Sequence, residues 1–521
     1  MESRELVTAL LDPAAYPQRP ASVELRETHI SWVFLADELV FKVKKPVNLE
    51  FLDYSTRTRR RIMCRREVEL NQRMSAGVYL GVDRITAGPD GGVCINGRGR
   101  VLDYAVRMRR LPEEATLTAH LQRDTVRGDD IAKLATLLAR FHAEAATGPH
   151  VDRFGRIRAL RRNAEENFRQ TAEFAGGPIS RREFEEVAET TRRMLTSRRG
   201  LFNQRVADGR IRDGHGDLRT DHVYFDDGIQ VIDCIEFNDR FRFADAAADI
   251  AFLAMDLDAH AAPALAGILV DAYAEAAGDD DIRAVLGYYL MYRAFTRAKV
   301  ACMRTSTATG GPEEVARAEL EARRYGHLAL RYARNDRGPR LIITAGITGT
   351  GKTTLAKTLG EALCAKHISA DQVRKELAGL EASDRRHDPV DQGLYAPEMN
   401  ERVYSEMLSR AEAFLRAGNT VVLDATFRRR ADRERAAELA RRFNCRFLAV
   451  HCVAPPETVR ERIERRAEEG SDWSDGRWDI YLAQAAAFEE LDELPADNVA
   501  AVDATLARAK QATMVVDRLE A

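Results

Sequence analysis

The sequence predicts a chain of two parts, an α+β part with two lobes and, after it, an α/β part with a doubly wound parallel sheet. Two β hairpins bracket a helix early in the chain, and mostly helical sequence follows them. After residue 339 short β-favouring runs alternate with helical ones, which is typical of a parallel sheet covered by helices on both faces. The polar segment 334–340 lies between these patterns and reads as a linker. We therefore expect lobes over residues 1–110 and 111–335 and the parallel sheet over residues 339–521.

Length and composition describe a globular protein of several domains. A chain of 521 residues exceeds the size of one typical domain. It is 45% hydrophobic and 31% charged, and no apolar run approaches the ~18 residues that span a membrane. Its N-terminus lacks the apolar centre of a signal peptide, and seven scattered cysteines indicate reduced thiols. We expect a cytoplasmic protein, and a net charge of -3 gives no global nucleic-acid signature.

The first lobe carries two lysines on one strand and a glutamate on the next helix. Residues 27–46 alternate in polarity around a predicted turn at 37–38, and the alternation places Lys42 and Lys44 on the same face. The helical segment that follows carries Glu67.

Two hairpins around one helix resemble the N-terminal lobe of protein-kinase-like enzymes. In those enzymes the strand lysine contacts nucleotide phosphates and the helix glutamate holds the lysine. The resemblance implies that Lys42 or Lys44 binds the nucleotide together with Glu67. The glycine-rich loop of protein kinases has no counterpart in the early strands.

A second group of polar residues lies between residues 213 and 238. His215-Gly-Asp217 forms a predicted loop, a hairpin follows around the turn at 226–228, and its second strand is expected to end at Asp233. Two aspartates on loops at opposite ends of a hairpin can converge on one pocket. One of them would then accept the proton of a substrate hydroxyl while the other holds magnesium.

This segment resembles the aminoglycoside-phosphotransferase family of small-molecule kinases, over roughly residues 20 to 305. The resemblance implies that Asp217 is the catalytic base, that His215 supports its loop, and that Asp233 is the metal ligand. It also strengthens the assignment of the strand lysines and the helix glutamate to the nucleotide.

The chain departs from that family at His222, where the family has a metal-binding asparagine. A neutral imidazole is a poor ligand for magnesium, which prefers oxygen. Asp221 or Asn238 could supply an oxygen instead. A degenerate kinase fold kept for binding or regulation therefore stays open as an alternative.

Further along, Arg293 and Arg297 lie four residues apart in a predicted helix, and Arg293 is a candidate for contacting the substrate.

The stretch LIITAGITGTGKTTLAKTLG at 341–360 reads as a strand, a glycine-rich loop and a helix. Glycines permit a tight loop whose backbone N–H groups converge on phosphate, and the next helix presents its positive N-terminal end. Lys352 would reach the β and γ phosphates, and the Thr353 hydroxyl would hold magnesium. The predicted nucleotide-binding residues are Gly346, Gly349, Thr350, Gly351, Lys352, Thr353 and Thr354.

Two aspartates follow later strands of the predicted sheet, where ligands of parallel sheets collect. Asp371 ends the run 367–371 and Asp424 ends the run 419–424. The segment resembles small P-loop kinases such as gluconate kinase, the zeta toxins and the kinase half of polynucleotide kinase. The resemblance implies that Asp371 orients or deprotonates the acceptor hydroxyl, that Arg374 binds the charge of the substrate, and that Asp424 acts near the magnesium or the acceptor.

An arginine-rich helix lies where these kinases carry a lid. Arg462 and Arg466, with Arg460 and Arg465 beside them, are candidates for neutralising charge on the transferring phosphoryl group. The segment 471–478 reads as a loop of the same closing element.

These observations predict an aminoglycoside-phosphotransferase-like, bilobal kinase domain fused to a P-loop kinase domain. The chain resembles bacterial fusions of this kind, often described as AAA family ATPases. We expect both domains to bind ATP and Mg²⁺ and to phosphorylate a hydroxyl of a sugar, an amino sugar or a nucleoside. Two alternatives stay open, a kinase of nucleic-acid 5′-hydroxyl ends and an ATPase regulated by a non-catalytic kinase-like domain.

Overall fold

The computed structural model describes residues 3–49, 52–88, 92–307, 311–336, 338–380, 393–469 and 478–520. It has the expected mixed α/β class. By packing, the chain forms two compact units, which we call unit 1 (Met1–Asn163, Arg193–Asp256 and Leu265–Leu290) and unit 2 (Ala164–Arg192, Leu257–Ala264 and Met291–Ala521). Unit 2 thus combines the predicted parallel sheet with helices from the preceding region. The sequence boundaries at residues 110, 335 and 339 stay predictions.

The described residues form short strands in the first half and longer parallel strands in the second. The strands are β1 Val23–Glu27, β2 Ser31–Ala36, β3 Leu39–Lys44, β4 Asn48–Leu49, β5 Leu52–Asp53, β6 Tyr79–Ala87, β7 Val93–Ile95, β8 Val101–Arg109, β9 Ile211–Asp213, β10 Val223–Phe225, β11 Ile229–Val231, β12 Phe243–Asp245, β13 Arg340–Ala345, β14 Lys366–Ser369, β15 Val421–Asp424, β16 Arg446–Val453 and β17 Val499–Asp503.

Helices supply most of the remaining structure. They are α1 Ser3–Leu10, α2 Arg57–Ser75, α3 Leu117–Gln122, α4 Gly128–Glu144, α5 Pro149–Asp152, α6 Ile157–Thr171, α7 Arg181–Ser197, α8 Arg199–Ala207, α9 Asp239–Arg242, α10 Ala246–Ala259, α11 Pro263–Ala277, α12 Ile282–Thr307, α13 Pro312–Ala333, α14 Lys352–Ala362, α15 Ala370–Leu377, α16 Pro397–Arg416, α17 Arg430–Arg442, α18 Pro456–Glu469, α19 Trp478–Ala486 and α20 Arg508–Glu520. Within the described part of the chain, no helix combines the length and the apolar character that crossing a membrane requires.

Unit 1 contains a six-stranded antiparallel sheet in the order β1-β2-β3-β8-β6-β7. The predicted hairpin between β2 and β3 is confirmed, and Asp37 adopts a left-handed φ of 52° at its turn. The predicted helix after these strands is α2, which Thr56 caps by accepting a hydrogen bond from the Arg59 N–H at 3.3 Å. The sequence Gly-Pro-Asp-Gly-Gly at 88–92 also predicts a turn, and residues 89–91 of it fall outside the described residues.

The hairpin β10-β11 positions the second predicted group of polar residues. Its two strands confirm the expected turn at 226–228. The expectation that the second strand ends at Asp233 is wrong, because β11 ends at Val231. Asp233 lies beyond it with a left-handed φ of 65°, a conformation that non-glycine residues seldom adopt. The direction of the Asp233 side chain is therefore set by this local backbone turn, because the residue lies outside the strand.

Unit 2 contains the predicted parallel sheet, with strand order β14-β15-β13-β16-β17. All six residues of β13 are buried, as expected for a central strand covered on both faces. Leu341 and Ile343 pack on one side with α16 and α17, and Ile342 packs on the other side with α14 and α20. Because the strands of this sheet are parallel, their carboxyl ends and the loops that follow them lie at the same edge.

A partly buried ion-pair cluster in unit 2 holds the start of the parallel sheet to the helices before it. Arg334, just after α13, pairs with Glu186 of α7 through two contacts of 2.7 and 2.8 Å. It also donates to Glu520 at 2.7 Å, and Arg340 of β13 donates to the same carboxylate at 2.9 Å. The predicted linker therefore forms part of the packed structure of unit 2.

Candidate active site

In unit 1, Glu67 of α2 bridges both strand lysines. Its two carboxylate oxygens contact the ammonium groups of Lys42 at 2.9 Å and Lys44 at 2.6 Å. The lysines lie two residues apart on β3 and so share a face of the sheet. The structure thus brings all three predicted residues together.

The two lysines differ in what else they contact. Lys42 is 17% exposed and lies 2.5 Å from the carboxylate of Asp233. Lys44 is only 1% exposed and pairs with Glu236, which also accepts a hydrogen bond from the Tyr54 hydroxyl. Sequence reasoning missed Glu236 and Tyr54. The spacing of Glu236 three residues after Asp233 was the available signal.

Charge pairing controls the protonation of this cluster. Desolvation alone would lower the pKa of Lys42, but the carboxylates of Asp233 and Glu67 outweigh it and hold the pKa well above its usual value. Desolvation would likewise raise the pKa of Asp233, but the charge of Lys42 outweighs it and brings the pKa of Asp233 far below its usual value. Both groups are therefore charged at neutral pH, and the ammonium group of Lys42 is the one that can turn to a ligand.

Replacing Glu67 by glutamine should destabilise unit 1, because two buried ammonium groups would lose a shared carboxylate. Removing one partner of a buried ion pair costs about 3 kcal/mol or more. In differential scanning calorimetry the midpoint of the affected transition should fall by roughly 5–10 °C. Glu69→Gln, at an exposed position on the same helix, is the matched control. Equal midpoints for both variants would contradict the bridging role.

His215 supports the loop that carries Asp217. Its Nε2 lies 2.9 Å from the carbonyl of Ile232, and its Nδ1 accepts from the Asp217 N–H at 3.3 Å. The carboxylate of Asp249 accepts from the N–H groups of His215 and Gly216 at 2.6 and 2.9 Å. A neutral imidazole satisfies both contacts, since one nitrogen donates and the other accepts.

Acid pH should weaken this loop through His215. Complete burial lowers the pKa of His215 to about 4, against ~6.5 in an unfolded chain. The folded pKa is the lower one, so the contribution to stability is full above pH ~6.5 and is lost as the pH falls to about 4. The loss amounts to roughly 3 kcal/mol.

This pH dependence can be measured as the unfolding midpoint of wild type and His215→Gln from pH 7 to pH 4. The wild type should lose stability more steeply than the variant over this range. The exposed His29→Gln variant should follow the wild type. Parallel curves for wild type and His215→Gln would count against the burial argument.

His222 lies between the two predicted aspartates. Its Nδ1 is 2.8 Å from the carbonyl oxygen of Asp217 and 3.8 Å from the carboxylate of that residue. Its Nε2 is 3.7 Å from the carboxylate of Asp233 and 2.9 Å from the guanidinium of Arg219. Lys42, Glu67, Asp217 and Asp233 therefore surround one site in unit 1. Sequence reasoning gave Arg219 no role.

The donor set in unit 1 fits a magnesium–nucleotide complex. Mg²⁺ typically takes one or two carboxylates together with phosphates and waters. The side chain of Asp233 is 43% exposed, and Lys42 beside it offers a cation for phosphate. Asn238, the predicted substitute ligand, caps α9 by accepting from the Arg240 N–H at 3.1 Å, and Asp221 pairs with Arg219 at 2.9 Å.

In unit 2 the glycine-rich loop connects β13 to α14. Gly346, Gly349 and Gly351 have left-handed φ values of 137°, 79° and 87°. A Cβ at Gly346 would lie 2.7 Å from the carbonyl of Cys452, and one at Gly349 would lie 2.6 Å from Val459. These positions therefore require glycine.

This loop fits a nucleotide phosphate. Lys352 begins α14, and its ammonium donates to the carbonyl of Ile347 at 2.6 Å, so it lies over the loop. The first N–H groups of a helix have no partner within the helix, and those of α14 belong to Lys352, Thr353 and Thr354. Thr350 closes the loop by donating from its hydroxyl to Ile347 at 2.8 Å.

Asp424 ends β15, the neighbour of β13, and is buried. Its carboxylate lies 3.4 Å from the Thr344 hydroxyl and 3.3 Å from Nε2 of His367 on β14. Asp371, expected at a strand end, lies in the first turn of α15. His367 was assigned no role from the sequence, although it is the first residue of the predicted β run 367–371.

The predicted arginines have different surroundings. Arg374 is buried and donates to the carbonyl of Leu394 and to Asn400 at 2.9 and 2.8 Å. Arg462 of α18 donates to the carbonyl of Ala504 at 2.7 Å and approaches Gly351 of the phosphate loop. Arg293 is buried in α12. The side chain of Arg466 and the loop 471–477 lie outside the described residues.

Two family models match the chain. Residues 87–287 match the phosphotransferase enzyme family, and residues 341–491 match an AAA domain. The first model covers the loop with Asp217 and the turn with Asp233, and the second covers the phosphate loop. The sequence-based identification of a phosphotransferase-like domain followed by a P-loop kinase domain is confirmed.

Relatives and solved structures give the extent of these similarities. The chain is 33% identical over 451 residues to the uncharacterized protein Rv2004c of Mycobacterium tuberculosis and to Mb2027c of Mycobacterium bovis, covering 86% of this chain and 87% of each relative. A choline/ethanolamine kinase family protein from Mesorhizobium loti is 13% identical with a TM-score of 0.38, covering 63% of this chain and 99% of that chain. A sugar kinase from Janibacter sp. HTCC2649 is 17% identical with a TM-score of 0.28, covering 35% of this chain and 95% of that chain.

Proposed function

The chain belongs to the same family as Rv2004c of Mycobacterium tuberculosis, and we propose that it is an ATP-dependent phosphotransferase that phosphorylates a hydroxyl of a small molecule. The matched family models support a phosphotransferase. Beyond what those models support, we propose that the nucleotide is ATP, that it binds together with Mg²⁺, and that the acceptor is a small molecule.

The observation that carries this proposal is the convergence in unit 1 of a strand lysine and two aspartates. Lys42 contacts both Glu67 and Asp233, and His222 lies within 3.8 Å of carboxylates of both aspartates. Bound ATP with Mg²⁺ would supply the transferable phosphoryl group and part of the charge that stabilises it. Lys42 would turn from Asp233 to the phosphates, and Asp233 would hold the metal.

Asp217 is suited to accept the proton of the acceptor hydroxyl. Its carboxylate is 30% exposed, so an acceptor can reach it, and its backbone is held by His215 and His222. A positioned general base of this kind contributes about 10²- to 10⁴-fold to rate. Because most of the Asp217 side chain is enclosed by the protein, a small molecule can reach its carboxylate more readily than a macromolecule can.

The phosphate loop of unit 2 supports a second nucleotide site. Its left-handed glycines and the N-terminus of α14 form an anion cradle beneath Lys352. Asp424 lies at the end of the neighbouring strand, where a residue that acts near magnesium or the acceptor is expected. We infer that this unit also binds ATP.

The nucleic-acid alternative has less support. The arginine run 428–430 is the sequence feature that favours it, but Arg430 pairs with Asp492 and Glu493, and Arg429 lies 3.7 Å from Asp432. An arginine that already forms an ion pair within the protein contributes less binding free energy when it contacts a nucleic-acid phosphate.

The proposal can be tested by magnesium-dependent ATP consumption with pooled sugars, amino sugars, nucleosides and 5′-hydroxyl oligonucleotides. Stimulation by a small-molecule pool, with the product identified by mass spectrometry, would support the proposed acceptor class. Stimulation by oligonucleotides alone would favour nucleic-acid ends. Slow ATP hydrolysis that no pool stimulates, and that persists in Asp217→Asn, would favour a regulated ATPase.

A further inference from the structure

The guanidinium group of Arg219 contacts three different residues of the unit 1 loop. Its Nε lies 3.3 Å from the carboxylate of Asp217, and its Nη1 lies 2.9 Å from that of Asp221. Its Nη2 lies 2.9 Å from Nε2 of His222. The side chain is only 16% exposed, so these contacts hold a permanent cation inside the site.

The contact with Arg219 fixes the tautomer of His222. A guanidinium can only donate hydrogen bonds, so Nε2 of His222 must accept. The hydrogen of the neutral ring is then on Nδ1, which donates to the carbonyl of Asp217 at 2.8 Å. Both ring nitrogens are engaged within the loop, and His222 has no lone pair left for a metal ion.

His222 therefore does not fit the role of the asparagine that it replaces. In protein kinases that asparagine holds a second magnesium ion, whose charge helps to neutralise the transferring phosphoryl group. Here a guanidinium lies beside His222. Nε2 of His222, which contacts this guanidinium, also lies 3.7 Å from the carboxylate of Asp233, so Arg219 is adjacent to both aspartates of the site.

We propose that Arg219 binds the terminal phosphoryl group of the nucleotide in unit 1 and takes the place of a second metal ion, with His222 as the positioning residue that fixes its guanidinium. This inference rests on the proposed function of unit 1. It predicts a site that needs one metal ion and that distinguishes a nucleoside triphosphate from a diphosphate through Arg219.

The test uses isothermal titration calorimetry on the full chain with Lys352→Ala, so that binding reports on unit 1. A non-hydrolysable ATP analogue and ADP are titrated separately with Mg²⁺. The analogue should bind at least ~10-fold more tightly than ADP, as expected for a charge-assisted contact to the terminal phosphate. Adding Arg219→Gln should reduce this ratio to about twofold or less while ADP affinity is kept, which also shows that the variant is folded.

Three further variants test whether the effect is specific to Arg219 and whether it depends on His222. Arg210→Gln, whose guanidinium contacts the carbonyls of Ala277 and Gly278, is the control and should keep the ratio. His222→Ala should lower the ratio, and His222→Gln, which offers Arg219 an amide oxygen, should restore it. Electron paramagnetic resonance with Mn²⁺ and the ATP analogue should count one ion per chain in the Lys352→Ala protein.

Two outcomes would overturn the inference alone, an unchanged ratio in Arg219→Gln or two bound Mn²⁺ ions. If neither nucleotide binds the Lys352→Ala protein, the proposed function of unit 1 fails and this inference fails with it.

Discussion

Asp217→Asn should lower the turnover number of the unit 1 reaction by about 10²- to 10⁴-fold, the range that a positioned general base contributes. Asparagine has nearly the same shape as aspartate but accepts no proton. The backbone contacts of Asp217 with His215 and His222 involve its N–H and carbonyl groups, and the substitution leaves both in place. The KM for the acceptor should therefore change little, which initial-rate kinetics at saturating ATP can establish.

The control for this experiment is Asp227→Asn. Asp227 is exposed at the turn between β10 and β11 with a left-handed φ of 46°, which asparagine tolerates well. This variant should keep wild-type turnover. A loss of less than tenfold in Asp217→Asn would remove the residue from the role of base and would leave the kinase-like unit as a binding domain.

Lys352→Ala should abolish most nucleotide turnover by unit 2. A charged donor to phosphate contributes about 1.5–3 kcal/mol, or roughly 10- to 100-fold in affinity. Its effect on rate is larger, about 10²- to 10³-fold, because charge grows on the phosphoryl oxygens in the transition state. The stability of the loop should change little, since the 2.6 Å contact of the ammonium with the carbonyl of Ile347 is one that water can replace. Fluorescent nucleotide binding and ATP hydrolysis measure the two effects.

Lys357→Ala is the matched control, because Lys357 is exposed on the same helix. Affinity and hydrolysis should stay at wild-type values in this variant. Hydrolysis that survives in Lys352→Ala and disappears in Asp217→Asn would assign the measured ATPase to unit 1. The Lys352→Ala substitution can be made both in the wild type and in the Asp217→Asn variant. If it leaves the rate of ATP hydrolysis unchanged in both, the loop has no role in nucleotide turnover.

Local sequence patterns were sufficient for the elements whose chemistry depends on neighbours in the chain. The spacing of the glycines before Lys352 predicts the loop correctly, because its geometry depends on a few consecutive backbone angles. Alternation also predicts the shared face of Lys42 and Lys44 on β3. It could not distinguish the two lysines, because their difference lies in partners supplied by Asp233 and Glu236, nearly two hundred residues later.

Other parts of the site depend on contacts that no local pattern encodes. The sequence indicates that His222 is a poor magnesium ligand, but its tautomer follows from the contact with Arg219 in the folded loop. The turn at Asp233 has a positive φ that an aspartate does not predict. Arg374 looked available to a substrate, yet packing with Leu394 and Asn400 engages its guanidinium.

The ion-pair cluster around Arg334 has a consequence for the order in which the chain folds during synthesis. Glu186 and Glu520 pair with the same arginine, although roughly 330 residues separate them along the chain. At 5–20 residues per second a ribosome needs about 15–70 s to cover that distance. Over the later part of this interval, once residues 334 and 340 have been made, Arg334 and Arg340 lack their shared carboxylate. Unit 2 therefore reaches its native packing only after residue 520 has emerged, and unit 1 can fold first.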